Sequence, residues 1–224
     1  SNLYIICICG KADKTDRVQE VIGMKHKISA FTDEQELLSA ILEIHNNGNP
    51  IELDPMYHKG GFYKNLVERP KLIFDINPRR DYCAKGNAEN LPIDDESISC
   101  MILDPLFLFG THGKMDKYNI SVNMGILKDF NELERHYRAI LTEAHRILKK
   151  KGILIFKCQD YTDSKTIMTH CYVYNWAKSI GFYAKDIAIL VREHKIYNPN
   201  VIQRHLRKVH TYFWVFEKSK VKVN

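Results

Sequence analysis

The sequence predicts a Rossmann-like α/β fold, in which helices cover both faces of a mostly parallel β-sheet. Apolar segments of strand length alternate along the chain with segments of helical periodicity, as in a parallel sheet with crossover helices. Three of the strand segments end on an aspartate. The last two strand segments have no helical segment between them, and we expect them to form an antiparallel pair at the C-terminal edge.

The first helix is predicted to have Thr32 as its N-cap and to run to about His45. Acidic residues occupy its first turn, and apolar residues recur through it at helical spacing. The breaker cluster at 46–50 ends this helix. A short strand is predicted immediately before Gly86. The three strands that end on an aspartate are predicted at 51–54, 71–75 and 98–104.

The second half of the chain is predicted to continue the alternation of helices and strands. The first of its helices carries apolar residues on one face, and Gly152 follows it as a C-terminal breaker. The second helix is followed by Gly181. The two helices and three strands of this half are predicted at 131–150, 153–157, 165–180, 183–192 and 211–217.

The chain has 224 residues, of which 45% are hydrophobic, enough for one sizeable core but short for two full domains. We expect residues 32–224 to form one domain, and we assign no role to the N-terminal segment 1–31. No apolar run approaches the roughly 20 residues that cross a bilayer, and we therefore expect a soluble, cytoplasmic protein. The six cysteines are scattered without a Cys-x-x-Cys pair, which favours reduced thiols and argues against a structural metal site.

The net charge of +6 is compatible with a polyanionic partner, because clustered basic residues release counterions from phosphates. Much of the excess lies in three clusters, at 149–151, 192–208 and 218–222. The first is also explained as the C-terminus of a helix, and the last as a solvated tail. The middle cluster suits a phosphate backbone, although a solvated hairpin loop explains it equally well.

Two aspartates at strand ends indicate a nucleotide-like ligand. Asp54 and Asp75 lie 21 residues apart, close to the roughly 20 residues that separate a cofactor loop from the ribose-binding acid in nucleotide folds. A carboxylate at 75 suits two ribose hydroxyls, and Asn87 suits an adenine amine. Each of these residues could alone be a cap or a turn residue. The predicted ligand-binding residues are Asp54, Pro55, Tyr57, Gly60, Gly61, Phe62, Asp75, Ile76, Asn87 and Ala88.

Three segments together resemble the motif series of class I, or Rossmann-like, S-adenosylmethionine-dependent methyltransferases, at 86–92, 104–107 and 141–152. They correspond to the family patterns gly-asp-ala-glu-x-leu-pro, asp-pro-pro-phe or -tyr, and l-x-E-x-x-R-x-L-k-x-G-G. The resemblance spans roughly residues 33–217 and is to DNA and RNA amino-methyltransferases, including small phage-type DNA methyltransferases. It implies S-adenosyl-L-methionine as the cofactor and makes 32–224 the methyltransferase domain. The first loop lacks the usual gly-x-gly, and Asn87 stands where aspartate is common.

The resemblance implies that the second segment holds the methyl acceptor. An exocyclic base amine is a poor nucleophile because its lone pair is delocalised into the ring, so hydrogen-bond acceptors must orient it. By resemblance Asp104 accepts from the amine, the carbonyl of Pro105 is the second acceptor, and Phe107 stacks on an extruded base. Leu106 replaces the second proline of the family pattern and leaves the turn less stiff. Taken alone, Asp104-Pro105 is equally compatible with a strand-ending turn.

Two polar, basic segments are predicted to contact the substrate, the loop 108–129 and the connection 192–210. The loop is punctuated by glycines, as expected of a mobile loop over a site, although a linker explains it almost as well. The connection combines positive charge with an aromatic residue, and it lacks the cysteine partners of a zinc site. The candidate substrate-binding residues are Lys114, Lys117, Arg192, Lys195, Arg204 and Arg207.

The sequence thus predicts methyl transfer from S-adenosylmethionine to an exocyclic amine of a nucleic-acid base, with DNA adenine or cytosine ahead of RNA. An RNA guanine amino-methyltransferase is the alternative among enzymes, and small-molecule methylation is a third. A degenerate methyltransferase fold that acts only as a binding module is the alternative from a different class.

Overall fold

The structure, a computed structural model, describes residues 27–110, 127–162, 165–192, 204–206 and 208–219. Its helices are α1 (Glu34–His45), α2 (Phe130–Ile147) and α3 (Thr169–Ile180). Its strands are β1 (Ala30–Phe31), β2 (Leu53–Asp54), β3 (Leu72–Asp75), β4 (Ala84–Lys85), β5 (Ile98–Leu103), β6 (Leu148–Cys158), β7 (Tyr161–Thr162), β8 (Thr166–Ile167), β9 (Phe182–Val191) and β10 (His210–Lys218).

Eight of these strands form one sheet in the order β4-β3-β2-β5-β6-β10-β9-β1. Each neighbouring pair is parallel except the two that involve β10. From β4 to β6 the order is the 3-2-1-4-5 arrangement of doubly wound nucleotide-binding folds. The predicted Rossmann-like fold class is confirmed.

β9 and β10 form the predicted antiparallel pair, but this pair is not the outermost part of the sheet. β10 lies between β6 and β9 and is antiparallel to both. β1 flanks β9 on the outside, where Ala30 and Phe31 pair in parallel with Ile189 and Leu190. The sheet therefore includes residues N-terminal to the predicted boundary at 32. A two-residue strand has no periodicity by which the sequence could reveal it.

The two faces of the sheet bury separate cores, because successive side chains of a strand point to opposite sides. In β5, Cys100 and Ile102 join one core. The alternating Met101 and Leu103 join the other. The helices contribute Leu37, Leu38 and Ile41 of α1 to the first core, and Tyr137, Ile140, Val173 and Trp176 of α2 and α3 to the second.

None of the helices in the described ranges is long and apolar enough to cross a membrane.

The N-cap of α1 is Asp33. Its carboxylate accepts hydrogen bonds from the backbone amides of Gln35, at 2.8 Å, and Glu36, at 2.9 Å. The prediction of Thr32 as the cap was wrong, because the carboxylate of the next residue satisfies two of the free amides of the first turn. The predicted end of this helix at His45 is confirmed.

α2 ends at Ile147, three residues before the predicted end, because the next residue is extended and begins β6. The basic cluster at 149–151 therefore lies in a strand, and its interpretation as a cationic helix end was wrong. The strand bends here, where Lys151 has a φ of 65°. Gly152 permits the bend, since a Cβ at this position would come within 2.8 Å of the carbonyl oxygen of Lys149.

α3 begins at Thr169, four residues after the predicted start. The residues before it are extended, because β8 pairs with β7 in a small antiparallel hairpin. A pattern of apolar residues cannot distinguish one extra helical turn from a short strand. The predicted end is confirmed at Gly181, whose φ of 119° ends the helix in the left-handed conformation.

Candidate functional site

The carboxyl ends of β2, β3 and β5 surround a cavity of about 460 Å³. The strand order reverses between β2 and β5, and doubly wound sheets bind ligands at such a reversal. Seven of the fourteen lining residues are among the predicted site residues. The lining consists of Pro55, Met56, His58, Asp75, Ile76, Asn87, Ala88, Glu89, Asp104, Pro105, Leu106, Leu127, Arg135 and His136.

Asp75 closes β3 and lines the cavity, as predicted for a ligand-binding carboxylate. Its Oδ2 accepts a hydrogen bond from the amide of His58 at 2.8 Å, and its Oδ1 accepts one from the amide of Asn77 at 2.8 Å. A carboxylate has about four acceptor positions, so Asp75 retains capacity for ligand hydroxyls. The side chain of Ile76, 55% exposed, adds an uncovered apolar surface beside it.

His58 lines the cavity although the sequence did not indicate it. Its backbone adopts a φ of 48°, which is uncommon for a residue other than glycine. Among the described residues, no hydrogen-bond partner reaches its buried Nε2. Burial lowers the pKa of His58, which favours a neutral imidazole at this wall of the cavity.

The segment with Asn87 forms the opposite wall. The side-chain oxygen of Asn87 accepts from the amide of Glu89 at 3.0 Å. The carboxylate of Glu89 is bound by Arg135, at 3.1 and 3.2 Å, and by Nδ1 of His136 at 2.7 Å. Although burial acts in the opposite direction, these bonds lower the pKa of Glu89. Arg135 and His136 reach the site from α2, which is why their sequence position gave no signal.

The Glu-x-x-Arg pair of α2 holds this segment in place. Glu143 accepts a hydrogen bond from the amide of Leu91 at 2.7 Å. Arg146 binds Glu143 and donates to the carbonyl oxygens of Leu91, at 3.2 Å, and Ile93, at 2.8 Å. The motif at 141–152 therefore positions the motif at 86–92. Neither Glu143 nor Arg146 lines the cavity.

Asp104 lies on the other side of the strand-order reversal, directly after β5. Its Oδ2 is 3.0 Å from Nζ of Lys157, which is also 3.1 Å from a carboxylate oxygen of Glu34. The Asp104 side chain is 27% exposed and so remains accessible from the cavity. Burial raises the pKa of Asp104, and the attraction of Lys157 opposes that rise. Lys157 was not predicted, but a lysine within an apolar strand is the signal that could have revealed it.

The turn after Asp104 is tied to the helix layer. Pro105 and Leu106 line the cavity, whereas the predicted base-stacking residue Phe107 does not. The buried hydroxyl of Tyr137 donates a hydrogen bond to the carbonyl oxygen of Leu106 at 3.0 Å. Tyr137 lies on the apolar face predicted for this helix, but the sequence did not predict this bond.

Asp54 is buried beneath the cavity and does not line it. It accepts hydrogen bonds from the hydroxyl of Tyr63 at 2.7 Å and from the amide of Met56 at 2.9 Å. Burial raises the pKa of Asp54 from 3.8 to about 7, and these two bonds oppose the rise. The geometry therefore gives Asp54 the role of ordering the loop that carries Pro55.

Four other predicted ligand-binding residues also lie outside the cavity lining. Tyr57 stacks on Tyr63, with ring centroids 5.7 Å apart. Gly60 has a φ of 72° and passes so close to the hydroxyl of Tyr57 that a side chain would collide with it. Phe62 packs against Phe213 in the core. The turn of Gly60 and Gly61 thus shapes the aromatic support of the loop, while Pro55, Ile76, Asn87 and Ala88 form part of the cavity.

The predicted substrate-binding residues are only partly within the described structure. Arg192 pairs with Glu34 at 3.1 Å, which connects it through Lys157 to Asp104. Arg204 is exposed. The described ranges hold no group of three or more histidine, cysteine, aspartate or glutamate side chains suited to a metal ion. Lys114, Lys117, Lys195 and Arg207 lie outside the described residues.

The sequence matches no protein-family model and no curated protein sequence. Similar solved structures include a putative DNA modification methylase from Thermus thermophilus complexed with S-adenosyl-L-methionine, at 15% identity and a TM-score of 0.41 over 62% of this chain and 54% of that one. PvuII DNA methyltransferase, cytosine-N4-specific, has 16% identity and a TM-score of 0.44 over 60% and 48%. A putative type 11 methyltransferase from Sulfolobus solfataricus has 14% identity and a TM-score of 0.44 over 82% and 92%. This chain spans about half the length of the first two proteins.

Proposed function

We propose that this chain is an S-adenosylmethionine-dependent methyltransferase that acts on an exocyclic amine of a nucleic-acid base, with DNA adenine or cytosine as the target. One observation carries the proposal: Asp75 and Asp104 line the same cavity from either side of the strand-order reversal. A ligand held at Asp75 and an amine held at Asp104 would meet within one cavity. We assign the activity to residues 32–224.

The side chains on the Asp75 side of the cavity suit the nucleoside part of S-adenosylmethionine. Asp75 retains acceptor capacity for the two ribose hydroxyls, and Ile76 offers an apolar surface to an adenine ring. Asn87 offers a side-chain oxygen with a second lone pair for an adenine amine. The volume of about 460 Å³ falls within the roughly 300–1,000 Å³ of small-molecule pockets. When bound, the cofactor supplies a methyl group activated by a positively charged sulfur.

The Asp104 wall suits an amine that must be oriented rather than deprotonated. Asp104 keeps acceptor positions beyond the one that Lys157 occupies, and Pro105 adds a backbone carbonyl beside it. Two acceptors around an amine direct its lone pair away from them, which is the alignment that methyl transfer requires. A base in a duplex must leave the helix to reach such a site. Phe107 is the proposed stacking surface, although it lies outside the cavity lining.

We propose that the substrate approaches over basic residues at the edge of the sheet where the cavity lies. Arg192 is 56% exposed while it pairs with Glu34, and Arg204 is exposed. Guanidinium groups contact phosphates without reading the base sequence. We include Lys114, Lys117, Lys195 and Arg207 in this proposed surface from their sequence positions.

A second candidate function is a non-catalytic binding module of the same fold. The ion pair between Asp104 and Lys157 favours it, because a carboxylate already neutralised by a lysine attracts an amine less strongly. Both candidate functions require Asp75, Ile76 and Asn87 to bind the nucleoside, but only the enzyme requires Asp104.

Two measurements on three proteins test the proposal. Calorimetry with S-adenosylmethionine should detect binding by the wild type and by Asp104→Ala. It should detect affinity at least about tenfold lower for Asp75→Ala, because hydrogen bonds to a charged group contribute about 1.5–3 kcal/mol. Transfer of labelled methyl groups should occur with the wild type and be lost in Asp104→Ala, which removes the acceptor.

Duplex DNA and transfer RNA serve as parallel substrates in the transfer assay. Transfer to RNA alone would move the assignment to an RNA amino-methyltransferase. A wild type that binds nucleic acid and cofactor without transfer would support the binding module. A wild type that does not bind S-adenosylmethionine would contradict the proposal.

A further inference from the structure

A cluster of nucleophilic and titratable side chains lies at the start of α3, outside the cavity. The Sγ atom of Cys171 is 3.3 Å from Nε2 of His170. Nδ1 of His170 is 2.7 Å from a carboxylate oxygen of Asp160, just beyond β6. The three groups thus follow one another as thiol, imidazole and carboxylate. We refer to Cys171, His170, Asp160 and the adjoining Tyr212 as the Cys171 cluster.

The hydrogen bonds define which nitrogen of His170 faces the thiol as an acceptor. An ionised carboxylate only accepts hydrogen bonds, so Nδ1 of His170 carries the proton and donates it in a hydrogen bond to Asp160. The lone pair of Nε2 is then directed at Cys171. A nucleophile, a base and a group that orients the base are the elements of nucleophilic catalysis at thiols and hydroxyls.

The orientation of the imidazole is held from several sides. The side chain of Asp160 is only 2% exposed, and it also accepts from the backbone amide of His170 at 3.2 Å and from the hydroxyl of Tyr212 at 3.4 Å. The rings of His170 and Tyr212 are stacked, with centroids 4.3 Å apart. A buried carboxylate is costly unless it is paired, and two of the three hydrogen bonds that Asp160 accepts come from His170.

Cys171 differs from the other cysteines of the described residues in its exposure. Cys83, Cys100 and Cys158 are buried, whereas Cys171 is exposed on the first turn of α3. Cys171 therefore combines access for a reagent with a base within hydrogen-bond distance.

We propose that Cys171 is a nucleophilic thiol that undergoes exchange with low-molecular-weight disulfides, with His170 as its base. The proton of Sγ passes to Nε2 of His170, and the thiolate attacks one sulfur of the disulfide. A bond forms between Sγ and that sulfur as the original S–S bond breaks. The leaving thiolate takes the proton from His170. The products are a mixed disulfide on Cys171 and one free small thiol, without net oxidation.

The test is the rate at which the whole chain reacts with 2,2′-dithiodipyridine, a neutral disulfide whose leaving group absorbs light. Peptide mass spectrometry locates the modified cysteine. Wild-type Cys171 should react about tenfold faster than the same residue in the chain unfolded by urea. His170→Gln and Asp160→Asn should each remove most of that acceleration.

Two variants serve as controls. Cys171→Ser should abolish the fast phase of the reaction. The signal that remains in this variant is that of the other cysteines. Tyr183→Phe changes an exposed tyrosine outside the Cys171 cluster and should react within about twofold of the wild type. Circular dichroism checks that each variant is folded, and Asp160→Asn substitutes for His170→Gln if the latter is not. Equal rates for folded and unfolded wild type, or an undiminished rate in a folded His170→Gln or Asp160→Asn chain, would overturn the proposal.

Discussion

The hydroxyl of Tyr137 on α2 donates a hydrogen bond to the carbonyl oxygen of Leu106, at 3.0 Å. Leu106 stands where the resembling methyltransferases have a second proline, and proline would stiffen the turn by fixing its own φ. Here a side chain from the helix layer restrains the turn from outside. The ring of Tyr137 is fully buried and stacks edge-on against Phe156, so its hydroxyl has little freedom to move. Packing against the helix layer thus restrains the turn at Leu106.

Tyr137→Phe should loosen this turn while leaving the core intact. The ring remains, but the carbonyl of Leu106 loses its partner, at a cost of about 1 kcal/mol in the free energy of unfolding. Methyl transfer should fall by a larger factor than affinity for S-adenosylmethionine. Urea unfolding, calorimetry and the transfer assay measure the three quantities. Tyr183→Phe, at a 60% exposed tyrosine, is the matched control and should change none of them.

Lys157→Met should destabilise the fold by removing the counterion of Asp104. Breaking one partner of a buried pair costs about 3 kcal/mol, since the remaining charge stays partly desolvated. The double variant Lys157→Met, Asp104→Asn should recover a large part of that loss. Recovery stays incomplete because Lys157 also pairs with Glu34 and lies 4.8 Å from the ring of Phe62. Chemical denaturation of the single and double variants measures the coupling, and strictly additive losses would contradict it.

Asp54→Asn should stabilise the protein above neutral pH. Burial raises the pKa of Asp54 from 3.8 to about 7. At pH values between these two, the folded state therefore keeps a proton that the unfolded state has lost. Stability is therefore lost as pH rises from about 4 to 7, by up to about 4 kcal/mol for a shift of this size. Asparagine mimics the protonated carboxyl and avoids the loss.

Thermal unfolding across pH 5–9 measures this effect. The stability difference between Asp54→Asn and the wild type should increase with pH and level off above about pH 7. Asp81→Asn, at an exposed aspartate, is the control and should show no such increase. A difference that is constant across the range would disprove the assigned linkage.

Arg146→Met should loosen the segment that carries Asn87 without changing any residue that lines the cavity. The variant loses the bonds to the carbonyl oxygens of Leu91 and Ile93 and to Glu143, and we expect about 1–2 kcal/mol of destabilisation. Hydrogen exchange at the amide of Leu91 should become faster, and affinity for S-adenosylmethionine should fall. Arg138→Met removes an exposed pair within α2 and should cost less than about 1 kcal/mol, with no effect on exchange at Leu91.

The sequence was most informative where local chemistry decides the structure. The three aspartates at strand ends, the end of α3 at Gly181 and the antiparallel final strands were all predicted correctly. Helix starts were less predictable, because neighbouring residues compete for the same free amides, as Thr32 and Asp33 do. The helix predicted to reach 150 ended early because pairing with β5 outweighs helix propensity after Ile147.

The candidate site could be predicted only in part from the sequence. Asp75, Asn87 and Asp104 were found because each follows a strand, and strand ends meet at one edge of a parallel sheet. Arg135 and His136 were missed, since they reach the cavity from the second turn of an amphipathic helix whose polar face normally lies in solvent.

The sequence by itself determined the fold class and the edge of the sheet at which the cavity lies, because periodicity and strand ends are local properties of the chain. The tertiary structure alone decided which acidic groups face the cavity. Asp54 and Asp75 have the same sequence signature, yet Tyr63 closes over the first and leaves the second open. It also brought Lys157 to Asp104 and Tyr137 to Leu106, contacts between residues 53 and 31 positions apart. Such contacts depend on how helices pack on the sheet, and no local pattern encodes that packing.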